Sequence, residues 1–125
     1  MQTMLLVALG AAVGANARYL LSSWAVKHWG AAFPYGTLLI NVLGSLGIGL
    51  VMGLLAQRPD AGPAWQPMLV TGFLGGFTTF STFSFETYRL ITAGQLGQAT
   101  LYAAGSVALG LAAVFAGLWL ARGLG

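Results

Sequence analysis

The chain has 125 residues, 58% of them hydrophobic and only 6% charged, with a formal net charge of +3, a mean hydropathy of +0.83 and no cysteine. Soluble domains carry about 25% charged residues because their surfaces face water, so this composition excludes a soluble globular domain and makes lipid the solvent. Without cysteine there is no disulfide scaffold, thiolate nucleophile or cysteine metal centre; His28 alone builds no zinc cluster, and 5 basic residues spread along the chain make no nucleic-acid patch.

A membrane helix needs about 20 mostly apolar residues to cross about 30 Å of hydrocarbon. Charge-free blocks at residues 1–17, 28–57, 61–85 and 90–121 predict four crossings at about 3–26, 35–57, 66–89 and 96–121, in one transmembrane domain spanning 1–125. The connections are too short to hold a soluble domain. In the first crossing, Ala15-Asn16-Ala17 imitates a signal-peptide cleavage site. The opening residues lack Lys or Arg, however, and apolar sequence continues past Arg18, so this segment is expected to remain in the mature protein.

The second crossing carries Thr37, Asn41 and Ser45 at spacing i, i+4, i+8, a polar stripe along one helix face. Asn41 offers two amide donors, and a neutral group can bind an anion without the cost of burying a charge. An interhelical hydrogen bond that glues a bundle explains the same residue.

The third crossing reads Thr71-Gly72-Phe73-Leu74-Gly75-Gly76-Phe77-Thr78-Thr79-Phe80-Ser81-Thr82-Phe83-Ser84-Phe85-Glu86. Adjacent glycines followed by β-branched threonines predict a broken helix, and a break at membrane depth is tolerated only where the backbone is buried or lines a cavity. Beyond it, Phe80 and Phe83 project to one side. Ring edges are electropositive and could line an anion path, although a phenylalanine pair in a membrane helix more often meets lipid or core. Glu86 and Arg89 are spaced for a local i, i+3 pair near this crossing's end. In the fourth crossing Tyr102 and Ser106 place two hydroxyls on one face, a pattern more often of packing than of a pore.

Basic residues near the helix ends split evenly, Arg58 and Arg122 on one side against Lys27 and Arg89 on the other. The tie fits a noisy signal in a small protein, or copies inserted both ways up and paired antiparallel. The glycine pairs Gly10 and Gly14, Gly49 and Gly53, and Gly72 and Gly76 each share a helix face and favour a homo-oligomer.

Three runs together identify a resemblance. Gly14-Ala15-Asn16-Ala17-Arg18-Tyr19, Pro34-Tyr35-Gly36-Thr37-Leu38-Leu39-Ile40-Asn41-Val42-Leu43-Gly44 and, above all, the run Thr71 to Ser84 resemble the fluoride-channel family called Fluc or CrcB along nearly the whole chain. The resemblance implies an all-α integral membrane protein of four transmembrane helices, broken in the third, forming an antiparallel dual-topology homodimer in the cell (inner) membrane. It implies two fluoride pores at the subunit interface, with Asn41 as pore amide, Phe80 and Phe83 as ring-edge ligands, and Tyr102 and Ser106 as pore hydroxyls. The next turn presents Gly110 instead of a hydroxyl. Gly75 and Thr78 would give backbone carbonyls from both subunits to a structural sodium ion, for which oxygen-only ligation is suitable. Arg18 is similar to the family's vestibule arginine; an interfacial anchor or backbone contact is its other reading.

The expected activity is therefore passive permeation. Fluoride enters cells as neutral HF, dissociates inside, and leaves through a pore whose donors replace its water and whose narrow fit excludes chloride. A small four-helix proton-coupled cation or drug antiporter shares the size and the charge tie but needs a mid-membrane carboxylate, and Asp60 and Glu86 are assigned to a loop and near a helix end. An enzyme lacks a nucleophile with a base, because no His, Asp or Cys falls inside a crossing.

Overall fold

The computed structural model describes residues 1–58 and 62–125 and is helical throughout its ordered elements. Asp60, the acidic residue assigned to a loop, lies outside the described residues. Helix α1 spans Gln2–Trp29, α2 Tyr35–Ala56, a π-helical stretch Met68–Leu74 leads into α3, Gly75–Phe77, and α4 (Phe80–Thr92) and α5 (Leu96–Leu124) complete the chain. At 1.5 Å per residue, α1 is about 42 Å long and α2 about 33 Å, enough to cross hydrocarbon. Among the described residues, four segments, the third running Met68–Thr92, have the length and composition of membrane spans.

The helices stop where the backbone says they must. Gly94 has φ +77°, and its N–H bonds the Ile91 carbonyl at 3.0 Å while that of Gln95 bonds Leu90 at 2.9 Å. This is the paired closure of a Schellman motif, and it releases α4 directly into α5. At the opposite end of the bundle Gln57 closes α2 and donates from Nε2 to the Ala121 carbonyl at 2.8 Å, tying α2 to the last turns of α5. Trp24, Trp29 and Tyr35 form an edge-on aromatic series, with centroids 5.0 and 5.9 Å apart, where α1 turns into α2. Aromatic rings concentrate at that depth because they are part apolar and part polar.

Glycines set the packing. A Cβ on Gly72 would lie 2.6 Å from the Val7 carbonyl, and one on Gly76 would lie 2.8 Å from that of Ala11; Gly10 and Gly14 reciprocate against the backbone of Met68 and Phe73. On the other side Gly49 meets the Val114 carbonyl and Gly117 meets that of Leu46, seating α2 on α5. The glycine pairs expected to serve contacts between copies thus pack helices within one chain. Large apolar side chains such as Leu101, Phe115 and Trp119 point outward, as lipid as solvent requires.

The third span is broken, as its composition predicts, but three residues later than the glycine pair. Gly75 and Gly76 remain helical, and the chain becomes extended at Thr78 (ψ 159°) and Thr79 (φ −153°). The glycines serve close approach to α1; the break falls where a side chain from α2 captures the backbone.

Candidate functional site

That side chain is Asn41. The Thr79 N–H donates to Asn41 Oδ1 at 2.8 Å, and Asn41 Nδ2 donates to the Thr79 carbonyl at 3.0 Å. The amide pairs with the broken backbone as a neighbouring strand would, and its second N–H is left over. Thr79 then starts α4: its Oγ1 accepts from the Thr82 N–H at 3.3 Å. Removing such a cap costs about 1 kcal/mol, so Thr79→Ala is expected to lower the thermal midpoint by a few degrees, read in a melting curve of the purified protein.

These two captures release carbonyls. In an unbroken helix the Thr79 N–H would bond Gly75 and the Thr82 N–H would bond Thr78. Both donors are diverted, to Asn41 and to the Thr79 hydroxyl. The carbonyls of Gly75 and Thr78 lose their regular partners at the same break, and both residues line one cavity. Two released carbonyls fit a hard monovalent cation, and no cluster of three or more His, Cys, Asp or Glu side chains occurs among the described residues. The Gly76 carbonyl between them accepts from Arg18 Nε at 3.1 Å. Arg18 thus makes a backbone contact, while it also borders a cavity of about 260 Å³ with Ser22 and Thr82.

The main cavity, about 450 Å³, brings together Asn41, Phe80, Phe83 and Ser106 with the broken backbone. Phe80 and Phe83 stand 5.7 Å apart at 44° and project to the same side; Phe80 remains 78% exposed in the single chain. Ser106 Oγ is buried without a hydrogen-bond partner, although a buried hydroxyl is costly when left unpaired. A group waiting for an acceptor therefore borders the cavity beside an amide with a spare donor.

Tyr102 is placed differently. It is 1% exposed, is not among the residues lining this cavity, and donates from its hydroxyl to Glu86 Oε2 at 3.2 Å. Thr37 Oγ1 donates to the other carboxylate oxygen at 2.6 Å. Glu86 therefore lies well inside α4, turned inward to α2 and α5 and flooring a second cavity of about 400 Å³ with Arg89 and the residues joining α1 to α2. Its reading as a residue near a helix end, paired locally with Arg89, missed this arrangement. The available signal was the carboxylate itself, since an acid at membrane depth needs donors, and Thr37 and Tyr102 were the hydroxyls at matching levels.

Residues 5–118 match the family model described as CrcB-like protein, Camphor Resistance (CrcB). A protein of Roseiflexus sp. named fluoride-specific ion channel FluC is 53% identical over 116 residues, covering 93% of this chain and 94% of that relative. A protein of the same name from Chloroflexus aurantiacus is 50% identical over 125 residues, covering 100% of this chain and 99% of its own. One from Acidobacterium capsulatum, also so named, is 49% identical over 112 residues, with 90% of each chain covered. With its membrane-length helices and this match over nearly its full length, the chain is a multi-pass membrane protein that belongs to the CrcB-like family.

Proposed function

We propose that the chain is a fluoride-selective ion channel that lets the anion leave the cytoplasm passively. The observation that carries this reading is the convergence of unspent donors on one cavity: the second Asn41 N–H and the partnerless Ser106 hydroxyl, beside the rings of Phe80 and Phe83. Fluoride is small and strongly hydrated, so a path must supply donors as water is stripped away, and neutral donors do so without trapping the ion on a full charge. The positive edges of Phe80 and Phe83 extend the path where no hydroxyl stands. Chloride, larger and more weakly hydrated, does not fit the same spacing. A membrane potential of 100 mV, negative inside, contributes about 2.3 kcal/mol per ion toward export of fluoride released from HF. The relatives, named fluoride-specific channels, support the same reading.

Tyr102 contributes at the Glu86 end. An anion passes a carboxylate only if that group is supplied with donors, and the hydroxyls of Thr37 and Tyr102 supply both of its oxygens. Arg18 raises the local positive potential at the mouth of the route. A second copy, inserted the opposite way up, completes the conduit within the lipid bilayer of the cell membrane. The exposed Phe80 and the even split of Lys27 and Arg89 against Arg58 and Arg122 support that antiparallel homodimer. The carbonyls of Gly75 and Thr78 would hold a structural sodium ion, whose charge offsets the aligned carbonyl dipoles at the break.

Efflux from liposomes, followed with ion-selective electrodes, tests the reading. The purified protein is expected to discharge fluoride rapidly and retain chloride, and Phe80→Ile to slow fluoride by about tenfold while leaving elution in detergent unchanged. Equal loss of both ions, or no fluoride loss from folded protein, would reject the channel.

A further inference from the structure

Helices α2 and α5 run parallel, and their polar residues rise together, each step of four residues being about 6 Å along the axis. Thr37 and Tyr102 meet at Glu86 on one level. Asn41 and Ser106 line the main cavity on the next. One step further, α5 presents Gly110, which has nothing to offer an anion, and the row of hydroxyls on that helix stops. On α2 the same level holds Ser45, and it too lines the cavity.

The geometry at this level is specific. A Cβ built on Gly110 would lie 3.5 Å from Ser45 Oγ, so the Ser45 hydroxyl already occupies the ground that a side chain at position 110 would reach. Several hydroxyls elsewhere in the chain are committed to their own backbone. Thr78, Ser84, Thr87, Thr92 and Thr100 each donate to the carbonyl four residues earlier, which spends their proton on their own helix. Ser45 and Ser106 make no such bond among the described residues, as is also true of Ser22, Ser23 and Thr71, but of these five only Ser45 and Ser106 line the main cavity.

We propose that Ser45 is a pore-lining donor that continues the path beyond Ser106, taking over from α2 the place that Gly110 leaves empty on α5. The assignment rests on the fluoride-channel reading and deepens it: the ion crosses from donors on one helix to donors on the other at this level. The glycine leaves this space to the Ser45 hydroxyl, and a Cβ at 110 would stand in ordinary contact with it at 3.5 Å.

The test moves the hydroxyl between helices. Fluoride efflux is measured from liposomes holding wild type, S45A, G110S and the double variant S45A/G110S, each first checked for its elution volume in detergent. Losing a hydrogen bond to a charged partner predicts about a tenfold slower efflux for S45A. The double variant, with a hydroxyl regrown from α5 into the same space, is expected to recover most of that loss; ordinary contact at 3.5 Å lets G110S fold. If S45A does not elute as folded protein, S45C, nearly equal in shape and a weak donor, takes its place with the same expected slowing and the same rescue by G110S. Wild-type efflux that survives S45A or S45C unchanged overturns the assignment alone. A slowing that G110S does not rescue also overturns it, because it would mark Ser45 as a packing residue. A wild type that passes no fluoride overturns the channel reading and this assignment together.

Discussion

Asn41→Asp is expected to stop fluoride efflux from liposomes while leaving a folded protein. The variant keeps an oxygen to accept the Thr79 N–H, the bond that holds the break at 2.8 Å. It loses the donor that bonds the Thr79 carbonyl and the spare donor beside the cavity, and it sets a negative charge there. Two like unit charges about 4 Å apart repel by about 4 kcal/mol at an effective dielectric constant near 20, and each 1.4 kcal/mol on a barrier is about tenfold in rate. Efflux should fall by about three orders of magnitude. Retained flux in folded Asn41→Asp would place the anion's route elsewhere. Asn41→Leu separates the two duties of the residue: with the Thr79 N–H and carbonyl both left without their partner, it should lower the melting temperature as well as the flux.

The second large effect concerns folding. Gly117→Leu is expected to prevent α2 from seating on α5. A Cβ at this position would lie 2.6 Å from the Leu50 nitrogen and 3.0 Å from the Gly49 carbonyl carbon, and closer still to the Leu46 carbonyl. Overpacking costs about 1–3 kcal/mol when side chains can yield, and these obstacles are backbone, so the cost should reach or exceed the upper figure. The measurement is a melting curve together with elution in detergent: loss of the folded peak is expected, and an unchanged midpoint would show that the helices do not meet there. Gly97→Ala is the matched control. Nothing lies within 4 Å of a Cβ at that position near the start of α5, and replacing a helical glycine there should leave the midpoint unchanged or raise it slightly.

Much of this architecture is legible from charge spacing. Long uncharged blocks dictate the spans because lipid penalises each charge, and that argument needs no tertiary information. The broken third span is legible as well, from threonines and glycines that make a poor helix. Its position is not. Gly75 and Gly76 weaken the helix locally, yet the chain opens at Thr78 and Thr79 because Asn41, 38 residues earlier, takes up the Thr79 backbone. Composition reports where a helix is weak; a distant partner decides where it parts.

The same limit explains Glu86 and the glycines. Counting residues put Glu86 near a helix end, and only the approach of Thr37 and Tyr102 from two other helices turns it inward. Spacing shows that Gly72 and Gly76 form a contact face, but a face does not name its partner, and α1 of the same chain takes it. Ser45 is a milder case: its place in the stripe with Thr37 and Asn41 is visible, while its relation to Gly110 requires the two helices side by side.

The seat between α2 and α5 has a further consequence. Where Gly49 and Gly117 bring carbonyls and Cα atoms into direct contact, no side-chain torsions intervene that could redistribute with temperature or lateral pressure. The separation of the two helices is then set by bond lengths and atomic radii, and so is the spacing of Ser45 on α2 from Ser106 on α5, which line one cavity. A cavity wall built this way has very little play, so the preference for fluoride over chloride expected of the protein should hold steady as the bilayer around it thins, thickens or stiffens.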